Sequence, residues 1–83
     1  MAFTEPEAKV LGALSNLDPA RTLTARQICR ATGLAETSVH RALLRLLRTG
    51  LVMGTLQGPA RWRPTNRGRV AIARPVYREY VGA

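Results

Sequence analysis

Apolar residues recur at three- and four-residue intervals in two stretches of the chain. Val10, Leu11, Leu14 and Leu17 mark one face of a helix over about residues 5–17. Val39, Ala42, Leu43, Leu46 and Leu47 make a single stripe on a second, stronger helical segment over about 36–49, with Thr37, Arg41, Leu44, Arg45 and Arg48 on roughly the opposite face. Local signals bound these segments. Thr4-Glu5-Pro6-Glu7 has the form of a capping box, in which Thr4 accepts from a first-turn amide and Glu7 reaches back; Phe3 precedes it and can pack on Ala8. Glu5 and Glu7 lie at the end of the helix where its dipole favours acids, and Asp18-Pro19 ends the run. A second box, Thr24-Ala25-Arg26-Gln27, flanked by Leu23 and Ile28 in the staple positions, opens a short helix over 25–32 that should stop at Gly33.

Gly50 ends the long helix, after which the period falls to two. Leu51 to Leu56 reads as a strand, Gln57-Gly58-Pro59-Ala60 as a turn, and Arg61-Trp62-Arg63 as the antiparallel return. Pro64 suits the edge or end of that strand, and Leu23 belongs to a further brief one. Thr65-Asn66-Arg67-Gly68 opens a fourth helix over about 66–81 that carries Val70, Ile72 and Ala73. Pro75 removes an intrahelical donor and should kink or restart it before Val76, Tyr77, Tyr80 and Val81. No repeat or low-complexity tract interrupts the order. The expectation is a single domain over 1–83, mainly α with a small β-hairpin (α+β): a three-helix core, a hairpin wing at about 51–64 and a C-terminal helix.

Eighty-three residues with 46% apolar side chains suffice for one small core and leave little room for a catalytic cavity. One cysteine, Cys29, and one histidine, His40, can build neither a disulfide nor a zinc site, so no metal and no cofactor is expected, and Cys29 is read as core packing beside Ile28. The five acids form no catalytic pair at useful spacing, which sets enzymes aside. No apolar run approaches the ~20 residues of a membrane span, and the N-terminus lacks the pattern of a secretion signal, so the expected compartment is the cytoplasm.

The charge is uneven. Residues 1–18 hold Lys9 against Glu5, Glu7 and Asp18, whereas residues 19–78 hold twelve arginines and only Glu36; the chain totals +8. Such a distribution is the footprint of a polyanion-binding surface. Arginine outnumbers lysine twelve to one, and guanidinium supplies bidentate donors for phosphate and for guanine. GC-rich coding DNA also favours arginine codons, but that does not explain the shortage of acids.

The order of elements resembles a winged helix-turn-helix domain over nearly the whole chain. Leu23-Thr24-Ala25-Arg26-Gln27-Ile28-Cys29-Arg30-Ala31-Thr32-Gly33-Leu34 is similar to the positioning helix and its tight turn, and Ser38-Val39-His40-Arg41-Ala42-Leu43 to the start of a recognition helix. Leu46-Leu47-Arg48-Thr49-Gly50-Leu51-Val52 resembles the exit into the wing in bacterial regulators, and Arg63-Pro64-Thr65-Asn66-Arg67-Gly68-Arg69 the approach to the last helix in MarR-like and PadR-like proteins. A narrower likeness links Gly58-Pro59-Ala60-Arg61-Trp62 to the wing of Zα domains, which bind left-handed nucleic acid. There the chain departs from the pattern: His40 and Leu44 stand where that family has asparagine and tyrosine, and Ala60 replaces its second wing proline.

The resemblance implies a sequence-specific binder of double-stranded DNA, a small bacterial, phage or plasmid transcriptional regulator. With the third helix in the major groove, Thr37, Ser38, His40 and Arg41 become readout candidates, and Arg41 suits a guanine contact. Arg45 and Arg48, with Arg26 or Arg30 on the preceding helix, are expected at phosphates; for each the plain reading is a solvated charge. Arg61 and Arg63 should emerge opposite Trp62 and straddle a phosphate or enter a minor groove, while Trp62 closes the core or stacks on nucleic acid. Val76, Tyr77, Tyr80 and Val81 offer a homodimer surface through the C-terminal helix, or pack on the first helix of a monomer. No small-molecule ligand is evident. The alternatives are a winged module for protein interaction in a replication, conjugation or secretion machine, against which the basic third helix argues, and a Zα-like or RNA-binding domain.

Overall fold

The computed structural model describes residues 3–16, 21–55 and 58–81. Along the chain run α1 (Glu5–Ser15), β1 (Leu23–Thr24), α2 (Ala25–Thr32), α3 (Glu36–Arg48), β2 (Val52–Gly54), β3 (Arg61–Pro64), α4 (Asn66–Ile72) and a 3-10 helix (Pro75–Tyr80). Threonine hydroxyls start three of the four α-helices. Thr4 Oγ1 accepts from the Glu7 amide at 3.4 Å while Glu7 Oε1 accepts from the Thr4 amide at 3.1 Å. Thr24 and Gln27 repeat this box on α2 at 3.2 and 2.9 Å. Thr65 Oγ1 accepts from the Gly68 amide at 3.1 Å and donates to the Gly50 carbonyl at 2.7 Å, tying the start of α4 to the end of α3. Each bond satisfies a first-turn amide that the helix itself leaves without a partner.

α1 is the central support, packing against α2, α3, α4, β3 and the 3-10 helix. Val10, Leu11 and Leu14 of α1 meet Ile28, Val39, Leu43, Leu46, Val52 and Ile72 in one fully buried cluster. Two glycines make the connections possible. Gly50 takes the chain out of α3 at φ 75°, a conformation that costs other residues a steric penalty. Gly68 lies against the Leu51 carbonyl so closely that a Cβ would collide with it, which lets α4 settle beside the start of the wing.

The sheet has the order β1-β3-β2, antiparallel throughout, with Leu23 opposite Trp62 and Gly54 also opposite Trp62. Pro64 therefore ends the central strand. It pairs with Val52 and lies beyond the register of β1, so its missing N–H leaves no β1 bond unmade.

Several sequence expectations need correction. α1 is helical to Ser15, and Leu17, Asp18 and Pro19 lie outside the described residues, as do Leu56 and Gln57 of the wing. The first wing strand is three residues long rather than six. Leu47, placed in the apolar stripe of α3, is 43% exposed, because at ~100° per residue it stands about 90° from the midline of Val39, Ala42, Leu43 and Leu46. α4 stops at Ile72; Arg74 takes an extended conformation (ψ 144°), as the residue before a proline tends to, and Pro75 restarts the chain as a 3-10 helix. Of the apolar residues Val70, Ile72 and Ala73 only Ile72 is buried, since Val70 is 71% exposed and Ala73 is exposed.

The C-terminal stretch divides. Tyr77 is buried, its ring centroid 5.0 Å from that of Phe3 and its hydroxyl accepting from the Phe3 amide at 3.0 Å. Tyr80 and Val81 pack on the same core, whereas Val76 is 71% exposed. Desolvation, followed by the carboxylates of Glu79 and Glu5, raises the Tyr80 phenol above its ordinary value, so it stays neutral at physiological pH.

Candidate nucleic-acid interface

α2 and α3 are joined by a short turn that local chemistry fixes. Gly33 closes α2 in the left-handed region at φ 73°. Thr32 Oγ1 donates to the Ile28 carbonyl at 2.7 Å and accepts from the Leu34 amide at 3.3 Å. From this turn α3 starts at Ala35, whose side chain offers no hydrogen-bond acceptor. Its first-turn amides thus lack the side-chain cap that Thr4, Thr24 and Thr65 give the other three α-helices. Unsatisfied amides and the positive end of the dipole favour an anion at this point.

Burial of Val39, Ala42, Leu43 and Leu46 sets which side of α3 faces outward. Thr37, Arg41, Leu44 and Arg48 fall within about 30° of the direction opposite that core, and all four are exposed. His40 is exposed on one flank, its Nε2 3.9 Å from Glu36 Oε1. Ser38 is half-buried on the other. Arg45 shares that second flank, where its Nε lies 3.3 Å from Glu7 Oε2. Glu7 is buried, so one carboxylate caps α1 with one oxygen and tethers a guanidinium of α3 with the other.

Arg41, Leu44, Arg45 and Arg48 line an open concavity together with Thr4 and Pro6 of the α1 start. On α2, Arg26 in the first turn and Arg30 in the last are both exposed. On the wing, Arg61 and Arg63 are exposed to either side of Trp62. The Trp62 indole is half-buried, packs on the core cluster and lies against Gly54. The Arg61 amide donates to Thr55 Oγ1 at 3.1 Å and the Thr55 amide to the Arg61 carbonyl at 3.0 Å, which holds the described base of the wing. The structure therefore gathers Thr37, Arg41 and Arg48 on one face, places Arg45 beside them on a tether, and carries the wing arginines on a separate element.

Sequence reasoning left three features unassigned. Leu44 is 53% exposed at the middle of the outward face, a position its spacing from Arg41 and Arg48 already implied. The Glu7–Arg45 pair joins residues with no local pattern to announce it. A second open groove of about 570 Å³ runs beside α4, lined by Phe3, Glu7, Arg45, Leu51, Val70 and Arg74 among others. Among the described residues no group of three or more His, Cys, Asp or Glu could hold a metal ion, and no helix is long and apolar enough to cross a membrane.

Three helices around one core, a turn between the second and third, and a hairpin after the third define a winged helix-turn-helix domain. Residues 3–57 match the model of the MarR family, and the chain belongs to that family of winged-helix transcriptional regulators. Solved structures agree on the fold. A MarR family transcriptional regulator from Silicibacter pomeroyi aligns at TM-score 0.75 and 19% identity, over 90% of this chain and 50% of that one. A protein with unknown function from Listeria innocua aligns at TM-score 0.74 and 21% identity, over 93% and 52%. The PcaV transcriptional regulator from Streptomyces coelicolor, solved in complex with its natural ligand, aligns at TM-score 0.68 and 24% identity, over 98% and 64%. The chain thus spans about half the length of the first two structural relatives it matches. No curated protein matches it by sequence.

Proposed function

We propose that this chain is the DNA-reading part of a bacterial, phage or plasmid transcriptional regulator that binds a specific double-stranded operator. The observation that carries the reading is the state of α3: an uncapped N-terminus, with Thr37, Arg41 and Arg48 on one outward face of a chain of charge +8. A 13-residue helix is about 20 Å long and fits a major groove about 12 Å wide. In that groove Thr37, Ser38, His40 and Arg41 meet base edges, with Arg41 donating twice to guanine O6 and N7. Arg48, Arg26 and Arg30 take phosphates, as does Arg45 from its tether on Glu7. Arg61 and Arg63 reach the backbone or minor groove, and Trp62 stays with the core.

A homodimer accompanies this reading. Tyr77, Tyr80 and Val81 are used within the domain, so of the C-terminal residues offered for a second copy Val76 stays exposed, and Val70 of α4 is exposed as well. Binding to chromosomal or plasmid DNA places the protein in the cytoplasm. Selection from a random duplex pool at near-physiological salt, with cold non-specific competitor and a parallel RNA pool, tests the proposal. Enrichment of one DNA motif, in two-fold form spaced by about one helical turn for a dimer, is the expected result. Enrichment in the RNA pool alone, or in neither, overturns it.

A further inference from the structure

We propose that Leu44 is a specificity-determining residue that reads the C5-methyl group of a thymine, next to the guanine contacted by Arg41; the inference rests on the DNA-reading function proposed above. A single exposed leucine is ordinary on a protein surface, so its surroundings carry the case. Leu44 is 53% exposed and lies outside the core cluster, while Val39, Ala42, Leu43 and Leu46 of the same helix are in it. It occupies the middle of the outward face, one turn beyond Arg41, one turn before Arg48 and two turns beyond Thr37. Burying α3 in a major groove buries this side chain as well, with no choice of another surface.

The groove offers an isobutyl group one favourable partner. Of the four bases only thymine adds a methyl there, whereas the N7 and O6 of guanine, the N7 and N6 of adenine and the N4 of cytosine are polar atoms that a leucine would desolvate without replacement. Three residues of helix advance about 4.5 Å and one base-pair step about 3.4 Å, so the thymine falls within about two base pairs of the Arg41 guanine. The polar neighbours and the leucine then read different chemistry on adjoining steps.

The test uses the full chain and its selected duplex, with each thymine replaced singly by deoxyuridine, which removes the methyl and nothing else. At one thymine within about two base pairs of the guanine, wild-type binding should weaken about fourfold, the size of one buried methyl-sized group. Leu44→Ala, which leaves the core intact, should bind the thymine and uracil duplexes equally while retaining the guanine preference. Wild-type indifference to every deoxyuridine, a selected site with no thymine in that window, or an unchanged thymine-to-uracil ratio in Leu44→Ala overturns the assignment and leaves the guanine preference, and with it DNA reading, standing. Failure of the wild-type chain to enrich any duplex is the separate result that removes DNA reading itself and the Leu44 role with it.

Discussion

α1 and α3 are amphipathic helices packed on the same core, and they treat their polar groups in opposite ways. α1 closes its N-terminus with Thr4 and Glu7 and buries Glu7, Ala8, Val10, Leu11, Gly12 and Leu14. α3 begins without a side-chain cap, buries only Val39, Ala42, Leu43 and Leu46, and turns Thr37, Arg41, Leu44 and Arg48 outward. One helix has its first turn capped inside the protein and serves as a support. The other leaves donors unsatisfied, which costs little in water and becomes useful only against an anionic partner. The Glu7–Arg45 contact joins the two, so the support also positions a cation of the proposed interface.

The sharpest way to break this contrast is at the support. Leu11→Ala removes a fully buried side chain from the centre of α1, and a loss of about 2–5 kcal/mol is expected in chemical denaturation. Thr4→Ala takes away the acceptor for the Glu7 amide and should lower stability by about 1 kcal/mol, read the same way. At α3 the same chemistry should act in the opposite sense. Ala35→Asp supplies the missing cap and should raise stability by up to about 1 kcal/mol, yet weaken DNA binding by placing a carboxylate where phosphate belongs; a thermal melt and a titration of one duplex give both numbers. Tighter binding from this variant would contradict a phosphate at the α3 start. The smallest effect is expected on the wing, where Arg61→Ala should weaken all duplexes alike and reduce the salt slope of binding by about 1.

Much of this contrast is legible in the sequence because it is written in local chemistry. Both capping boxes and the glycine after α2 follow from spacing alone, as does the outward set of Thr37, Arg41, Leu44, Arg45 and Arg48, except that Arg45 turns to a flank and meets Glu7. What escapes is set by packing between distant segments. Leu47 is apolar and close to the stripe, but it stands about 90° from its midline and stays partly in solvent. Val70 sits two residues after the buried Gly68 and two before the buried Ile72, and on so short a helix that places it on the far side. The Glu7–Arg45 pair links positions 38 residues apart, and no pattern within either helix requires it. Val76 lies beyond the early end of α4, which Pro75 foreshadowed without fixing where the chain would go.

The central claim is that α3 reads bases while the rest of the domain holds it. The measurement that bears on it most directly compares wild type with Arg41→Ala on the selected duplex, on the same duplex with the contacted guanine replaced, and on random DNA. The expected result is a loss of about 1–3 kcal/mol confined to the selected duplex, disappearance of the preference at that one guanine, and an unchanged melting temperature. Equal weakening on all three duplexes, or none on any, would contradict recognition by α3.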